Sequence, residues 1–84
     1  MYHWEFDPPD YASVLDDLST AGRDALFAVL DALMFDPANY GRVPGEPTGK
    51  AVRTIEFGGG RGLLTFVYHA PDRLVLVVRV SWLD

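Results

Sequence analysis

Three apolar, β-branched stretches in the second half of the chain alternate with short polar links, and this pattern predicts three consecutive β-strands. The stretches cover residues 51–57, 63–68 and 74–82 and are rich in valine, leucine and aromatic residues. The links, residues 58–62 and 70–73, contain glycine, proline and aspartate, which tolerate the geometry of tight turns. We therefore predict an antiparallel meander in which each strand pairs with the next.

The last of these stretches is apolar at every position from 74 to 78, which is typical of a central strand with both faces shielded. Strict alternation divides it into two faces. The face that we assign to the helices and the core contains Leu74, Leu76, Val78, Val80 and Trp82. The opposite, helix-free face contains Val75, Val77, Arg79 and Ser81. On that face Arg79 needs an anion, a carboxylate or water as a partner.

The N-terminal residues predict one more strand. Residues 2–7 alternate apolar and polar side chains, which places Tyr2, Trp4 and Phe6 toward the core. The sequence Asp-Pro-Pro-Asp at 7–10 then ends the strand, because proline donates no hydrogen bond to a ladder.

From Tyr11 onward the apolar residues recur three and four positions apart, which predicts a short helix and then a longer one over about residues 21–34. The buried stripe of the short helix contains Tyr11, Val14, Leu15 and Leu18. The stripe of the longer helix contains Leu26, Val29, Leu30 and Leu33, and Phe27 and Met34 widen it. A hydroxyl of Ser19 or Thr20 caps the start of this helix, and the Asp36-Pro37 pair ends it.

These elements predict an α+β fold in which two N-terminal helices pack on one face of a four-stranded sheet, in the order β-α-α-β-β-β. We expect the first and last strands to be adjacent and parallel, and the other pairs to be antiparallel. Residues 1–84 are expected to form one domain with one modest core. The longest irregular stretch, residues 40–49, either crosses the sheet edge or forms a binding loop.

Composition narrows the classes of site. The chain has no cysteine, which excludes disulfides and thiolate metal sites, and no apolar run of the length that a membrane span needs. We expect a cytoplasmic protein that is not membrane-bound. The net charge is −5, yet the charges are unevenly distributed: residues 1–36 carry eight acids and one base, whereas residues 37–84 carry six bases and four acids. The bases therefore gather on the meander, where a local field favours anions despite the net charge.

The order of elements and several short motifs resemble the RelE/ParE superfamily of bacterial toxins. The helix ending L-M-F-D-P at 33–37 is similar to the family's L-x-x-[DN]-P. The stretch from Val52-Arg53 through G-R-G-L-L-T-F-V-Y at 60–68 is similar to its [KR]-x-R … G-x-x-R-x-x-Y-x-V hairpin, and residues 77–83 resemble its last core strand. The resemblance extends over the whole chain, which would make residues 1–84 a single RelE-like domain.

The resemblance implies a toxin of a type II toxin–antitoxin system, held inactive by an antitoxin protein. The RelE branch cleaves messenger RNA in the ribosome, using basic residues on the concave, helix-free sheet face to stabilise the transition state. By position, Lys50 and Arg53 match the basic residues of the first meander strand, and Arg79 matches, more loosely, one late in the last strand. Arg61 lies in the turn rather than inside the strand. No residue matches the family's C-terminal catalytic tyrosine, which leaves Tyr68 as the acid or base.

The sequence leaves three hypotheses about function open. The first is a ribosome-dependent messenger RNA endonuclease with Lys50, Arg53, Arg61, Arg79 and Tyr68 at its site. The second is a catalytically degenerate protein-binding module, and the third is a gyrase inhibitor of the ParE branch. The arginines equally suit ion pairs with Glu5 or Glu56 on the sheet surface. His3 and His69 are isolated in the sequence, so we expect neither a metal nor a cofactor.

Overall fold

The computed structural model describes residues 1–37 and 52–83. It contains strands β1 (His3–Phe6), β2 (Val52–Phe57), β3 (Gly62–His69) and β4 (Leu74–Trp82), and helices α1 (Val14–Asp17) and α2 (Thr20–Leu33). Short 3-10 turns at Pro9–Ser13 and Ala70–Asp72 complete it. The predicted α+β architecture with two helices and four strands is confirmed. The predicted loop over residues 40–49, together with Lys50 and Ala51, lies outside the described residues.

The strands form one mixed sheet in the order β1-β4-β3-β2. β1 runs parallel to β4, while the β2–β3 and β3–β4 pairs are antiparallel. This confirms the predicted neighbours, with β2 at the opposite edge of the sheet from β1. β4 therefore has a neighbouring strand on each side, as its apolar run predicts for a central strand, and it is not at an edge of the sheet.

The helices bury the predicted apolar stripes against the sheet. Ser19 caps α2, because its side-chain oxygen accepts a hydrogen bond from the Gly22 amide at 3.1 Å. Leu26, Leu30 and Leu33 of α2 are fully buried. Met34 is buried as predicted, whereas Phe27 is 39% exposed and lies beside Trp4 of β1, with 6.1 Å between ring centroids. The predicted widening of the stripe by Phe27 is therefore wrong. None of the helices in the described ranges is long and apolar enough to cross a membrane.

The predicted alternation along β4 is wrong for its first half, because β4 carries a β-bulge. The register pairs Thr65 with Arg79 but the next residue, Phe66, with Val77, so that Val78 is an extra residue without an opposite partner. Val75 and Val77 consequently face the core and are fully buried, whereas Leu74, Leu76 and Val78 are only half-buried. Beyond the bulge the prediction is confirmed: Val80 is buried, and Arg79 and Ser81 are exposed.

Tyr11 completes the edge of β4 where β1 has ended. The last contact along β1 is the Asp7 amide, which donates to the Val77 carbonyl at 3.0 Å. Three residues further along β4, the Val80 amide donates to the Tyr11 hydroxyl at 2.9 Å, and that hydroxyl donates to the Val80 carbonyl at 3.3 Å. One side chain thus replaces the strand partner that this buried residue lacks.

A glycine brings two aromatic rings together at the β2–β3 hairpin. Phe57, Gly62 and Trp82 are neighbours across three strands. A Cβ added to Gly62 would lie 2.4 Å from the Phe57 ring, and the Phe57 and Trp82 rings stack with 5.6 Å between their centroids. Above Trp82, a Cβ added to Gly22 of α2 would come within 3.1 Å of the indole. The indole is therefore held between the sheet and α2.

Candidate functional site: the helix-free sheet face and the hairpin cleft

An apolar row crosses the side of the sheet that faces away from the helices, which we call the open face. Val52, Val67 and Leu76 are directly opposite one another on β2, β3 and β4, and Glu5 of β1 ends the row. Their chain neighbours Phe66 and Val77 are fully buried in the core, so the row must point the other way. Val52 is 42% exposed, and Val67 and Leu76 are half-buried. We call these three residues the apolar row.

Arg79 lies on the open face as the sequence predicts, and it is exposed. Its partner across the ladder is Thr65, whose own partner on β2 is Thr54, and both threonines are half-buried. The next pairs toward the hairpin join Ser81, Leu63 and Glu56. Among the described residues, the open face thus presents the Arg79 guanidinium next to the apolar row, with the hydroxyl groups of Thr54 and Thr65 in the same row as Arg79.

Arg53 lies on the other side of the sheet, and the expectation that it joins Arg79 on the helix-free face is wrong. It is paired with Phe66, which is fully buried, so its side chain starts on the helix-facing side. Its guanidinium carbon lies 5.3 Å from the centroid of the Tyr68 ring. Tyr68 in turn packs against the core and meets the edge of Tyr2 at 6.4 Å. Both residues therefore belong to the helix side.

Arg61 lines a cleft at the hairpin end of the sheet, with a volume of about 370 Å³. The cleft is lined by Glu56, Gly60, Arg61, Gly62, Leu63, Ser81, Trp82 and Leu83. The Arg61 guanidinium carbon lies 5.5 Å from the centroid of the Trp82 ring, and the Arg61 carbonyl accepts a hydrogen bond from the Leu83 amide at 2.9 Å. Of the predicted site residues that the structure describes, Arg61 alone lines this cleft.

The predicted site residues in the described part of the chain therefore do not meet at one place. Arg53 and Tyr68 share the helix side, Arg79 lies on the open face, and Arg61 lines the cleft; Lys50 falls outside the described residues. Glu56, Ser81 and Trp82 were missed as cleft residues. The register of the hairpin could have revealed these residues. Pairing Phe57 with Gly62 also pairs Glu56 with Leu63, and Leu63 is in turn opposite Ser81 on the next strand.

The alternative role of the arginines as ion-pair partners fails for two of them. Within the described ranges, neither Arg61 nor Arg79 forms an ion pair with Glu5 or Glu56. Two contacts between a histidine and a carboxylate are exposed: His3 with Glu5 at 3.9 Å, and His69 with Asp72 at 2.8 Å. Residues 1–37 and 52–83 contain no group of three histidine, aspartate or glutamate side chains placed to hold a metal ion.

Comparisons of the chain with protein-family models, with curated proteins and with solved structures found no match.

Proposed function

We propose that this chain is a divergent member of the RelE/ParE toxin–antitoxin superfamily that works by binding a protein partner through its open face. The observation that carries the proposal is the apolar row of Val52, Val67 and Leu76, which crosses three strands on the side that neither α1 nor α2 covers. The order of elements and the parallel β1–β4 pair support the family assignment. Contiguous apolar surface rimmed by polar residues is typical of protein-binding sites.

The chemistry of the open face indicates what kind of segment would bind it. The partner segment presents aliphatic side chains to the apolar row and a carboxylate to Arg79. The carboxylate is needed because a guanidinium covered by a partner without an anion would be desolvated and unpaired. Burying one aliphatic side chain fully is worth about 1.5–3 kcal/mol, so three partly exposed ones supply a binding core of several kcal/mol. The partner that this proposal names is an antitoxin-type protein encoded next to this chain.

Messenger RNA cleavage is the second candidate function, and exposed Arg79 on the open face is the observation that favours it. Cleavage in the RelE branch commonly uses a tyrosine as the general acid or base beside its cations. Within the described residues, Tyr2, Tyr11 and Tyr68 all pack against the core rather than on the open face. We therefore rank binding above cleavage.

Co-expression with the antitoxin-type protein that the proposal expects to be encoded beside this chain tests the binding function. The two proteins are expected to elute together in size-exclusion chromatography. A variant with Val67→Thr and Leu76→Thr places β-branched residues, which favour strands, at both positions and is expected to lose the partner. Phe35→Thr, which replaces a residue that is 73% exposed and outside the sheet, serves as the control and keeps it. Independent elution of the wild-type proteins, or a complex that survives the double substitution, contradicts the proposal.

Induction in a bacterial host separates binding from cleavage. Under the binding function, messenger RNA 5′ ends stay unchanged whether or not growth stops. New 5′ ends that appear with the wild-type chain and vanish with Arg79→Ala would establish cleavage instead. Arg23→Ala, on the exposed side of α2, is the matched control for loss of a positive charge.

A further inference from the structure

The hairpin cleft brings together two opposite charges that do not pair with each other. Arg61 and Glu56 both line it, and both are exposed. Although attraction should draw them together, the Arg61 guanidinium lies over the Trp82 ring, and the Glu56 carboxylate lies by Gly60, 3.9 Å from where a Cβ on that glycine would stand. In the part of the chain that the structure describes, neither charge has an ion-pair partner. Because both side chains are exposed and the two charges do not neutralise each other, each can contact a ligand in the cleft.

Backbone and ring contacts join the cleft to the rest of the fold. Gly58, Gly59 and Gly60 all adopt positive φ angles, which glycine tolerates without strain and which allow the tight turn before Arg61. The Arg61 backbone is tied to the end of β4 through the Leu83 amide, and the Trp82 indole is wedged between Phe57 and α2. A site whose walls are already in place loses little conformational freedom when a ligand enters.

The remaining walls are apolar, apart from one hydroxyl. Leu63 and Leu83 are exposed in the cleft and Trp82 is half-buried, while Ser81 contributes its side-chain oxygen. The volume of about 370 Å³ lies at the small end of the range for small-molecule sites, roughly 300–1,000 Å³. A compact ligand with an apolar group and two charges matches these walls.

We propose that this cleft binds small zwitterions of the amino-acid class, with Arg61 holding the carboxylate, Glu56 holding the ammonium group, and Leu63, Leu83 and Trp82 contacting an apolar side chain. The carboxylate–guanidinium contact is a charge-assisted hydrogen bond with a geometry that lysine would not reproduce. Recognition of both charges distinguishes the zwitterion from amines and from acids of the same size. The proposal does not rest on the protein-binding function proposed above, although Glu56, Leu63 and Ser81 also border the open face.

Three probes that share a phenyl ring and differ in charge test the proposal. L-phenylalanine carries both charges, 2-phenylethylamine only the positive one and 3-phenylpropanoate only the negative one. Each is titrated into the ¹⁵N-labelled chain at millimolar concentrations. L-phenylalanine is expected to change the chemical shifts of the Glu56, Arg61 and Leu63 amides. It is also expected to bind about tenfold more tightly than either other probe, because each of those lacks one charge-assisted contact.

Substitutions in the cleft assign the two charges. Arg61→Gln is expected to weaken the binding of L-phenylalanine and 3-phenylpropanoate while leaving 2-phenylethylamine unchanged. Glu56→Gln is expected to weaken the binding of L-phenylalanine and 2-phenylethylamine while leaving 3-phenylpropanoate unchanged. Arg23→Gln on α2 leaves all three titrations unchanged, and the spectra of all variants report whether the fold is intact. The proposal is overturned if no probe shifts the cleft amides, if a singly charged probe binds as tightly as L-phenylalanine, or if Arg61→Gln has no effect.

Discussion

The hydrogen bonds between Tyr11 and Val80 predict a large effect from removing a single oxygen atom. Tyr11→Phe keeps the ring and its edge contact with Phe6, whose centroid lies 5.9 Å away, but it removes the hydroxyl that both accepts from and donates to the Val80 backbone. Val80 is only 7% exposed, so water does not fully replace the lost partner. An unsatisfied buried amide costs about 1–3 kcal/mol, and we expect the free energy of unfolding to fall by that amount.

Thermal and urea unfolding measure this change. In a domain of this size each kcal/mol lowers Tm by roughly 4–8 °C, so the loss is well above the resolution of a melting curve. Tyr2→Phe is the matched control. Like Tyr11, Tyr2 makes an aromatic edge contact, but among the described residues both hydrogen bonds made by a tyrosine hydroxyl belong to Tyr11. We expect Tyr2→Phe to stay within about 0.5 kcal/mol of the wild type. Equal stability of the two variants, with unchanged hydrogen exchange at the Val80 amide, would refute the reasoning.

Two further substitutions test local parts of the fold. Gly62→Ala places a Cβ 2.4 Å from the Phe57 ring, which has little room to move because it is already stacked on Trp82. We expect this overpacking to lower the free energy of unfolding, measured in urea, by about 1–3 kcal/mol. A normal stability for this variant would show that the two rings do not meet over the glycine. Ser19→Ala should cost about 1 kcal/mol through loss of the cap on α2, detectable as a lower Tm; a smaller loss than Ser19→Gly would contradict the capping role.

Most of the fold could be predicted because the hydrophobic period changes from two to about 3.6 and back to two along the chain. The β-bulge could not. The run Leu-Val-Leu-Val-Val at 74–78 is apolar on both faces, so no polar residue marks the point at which the alternation shifts. The shift is set instead by packing, which buries Val75 and Val77 before the bulge and Val80 after it.

The candidate site was less predictable than the fold, because a family motif locates a residue along the chain but not the sheet face on which its side chain lies. Arg53 shows this: the hairpin register pairs it with buried Phe66, so it leaves the sheet on the helix side and meets the Tyr68 ring. Arg79 was placed on the correct face, since the residues beyond the bulge keep the predicted phase. The position of the Arg61 guanidinium over Trp82 depends on a tertiary contact that no spacing in the sequence reveals.

The central claim is that the open face receives a protein partner, and the footprint of that partner tests it most directly. Cross-saturation NMR on the labelled chain, in complex with the antitoxin-type protein that we propose as its partner, reports which amides lie within the interface. We expect the affected amides to cluster at Val52, Val67, Leu76 and Arg79. A footprint on the exposed side of α2 would contradict it, as would the absence of any complex between the two proteins.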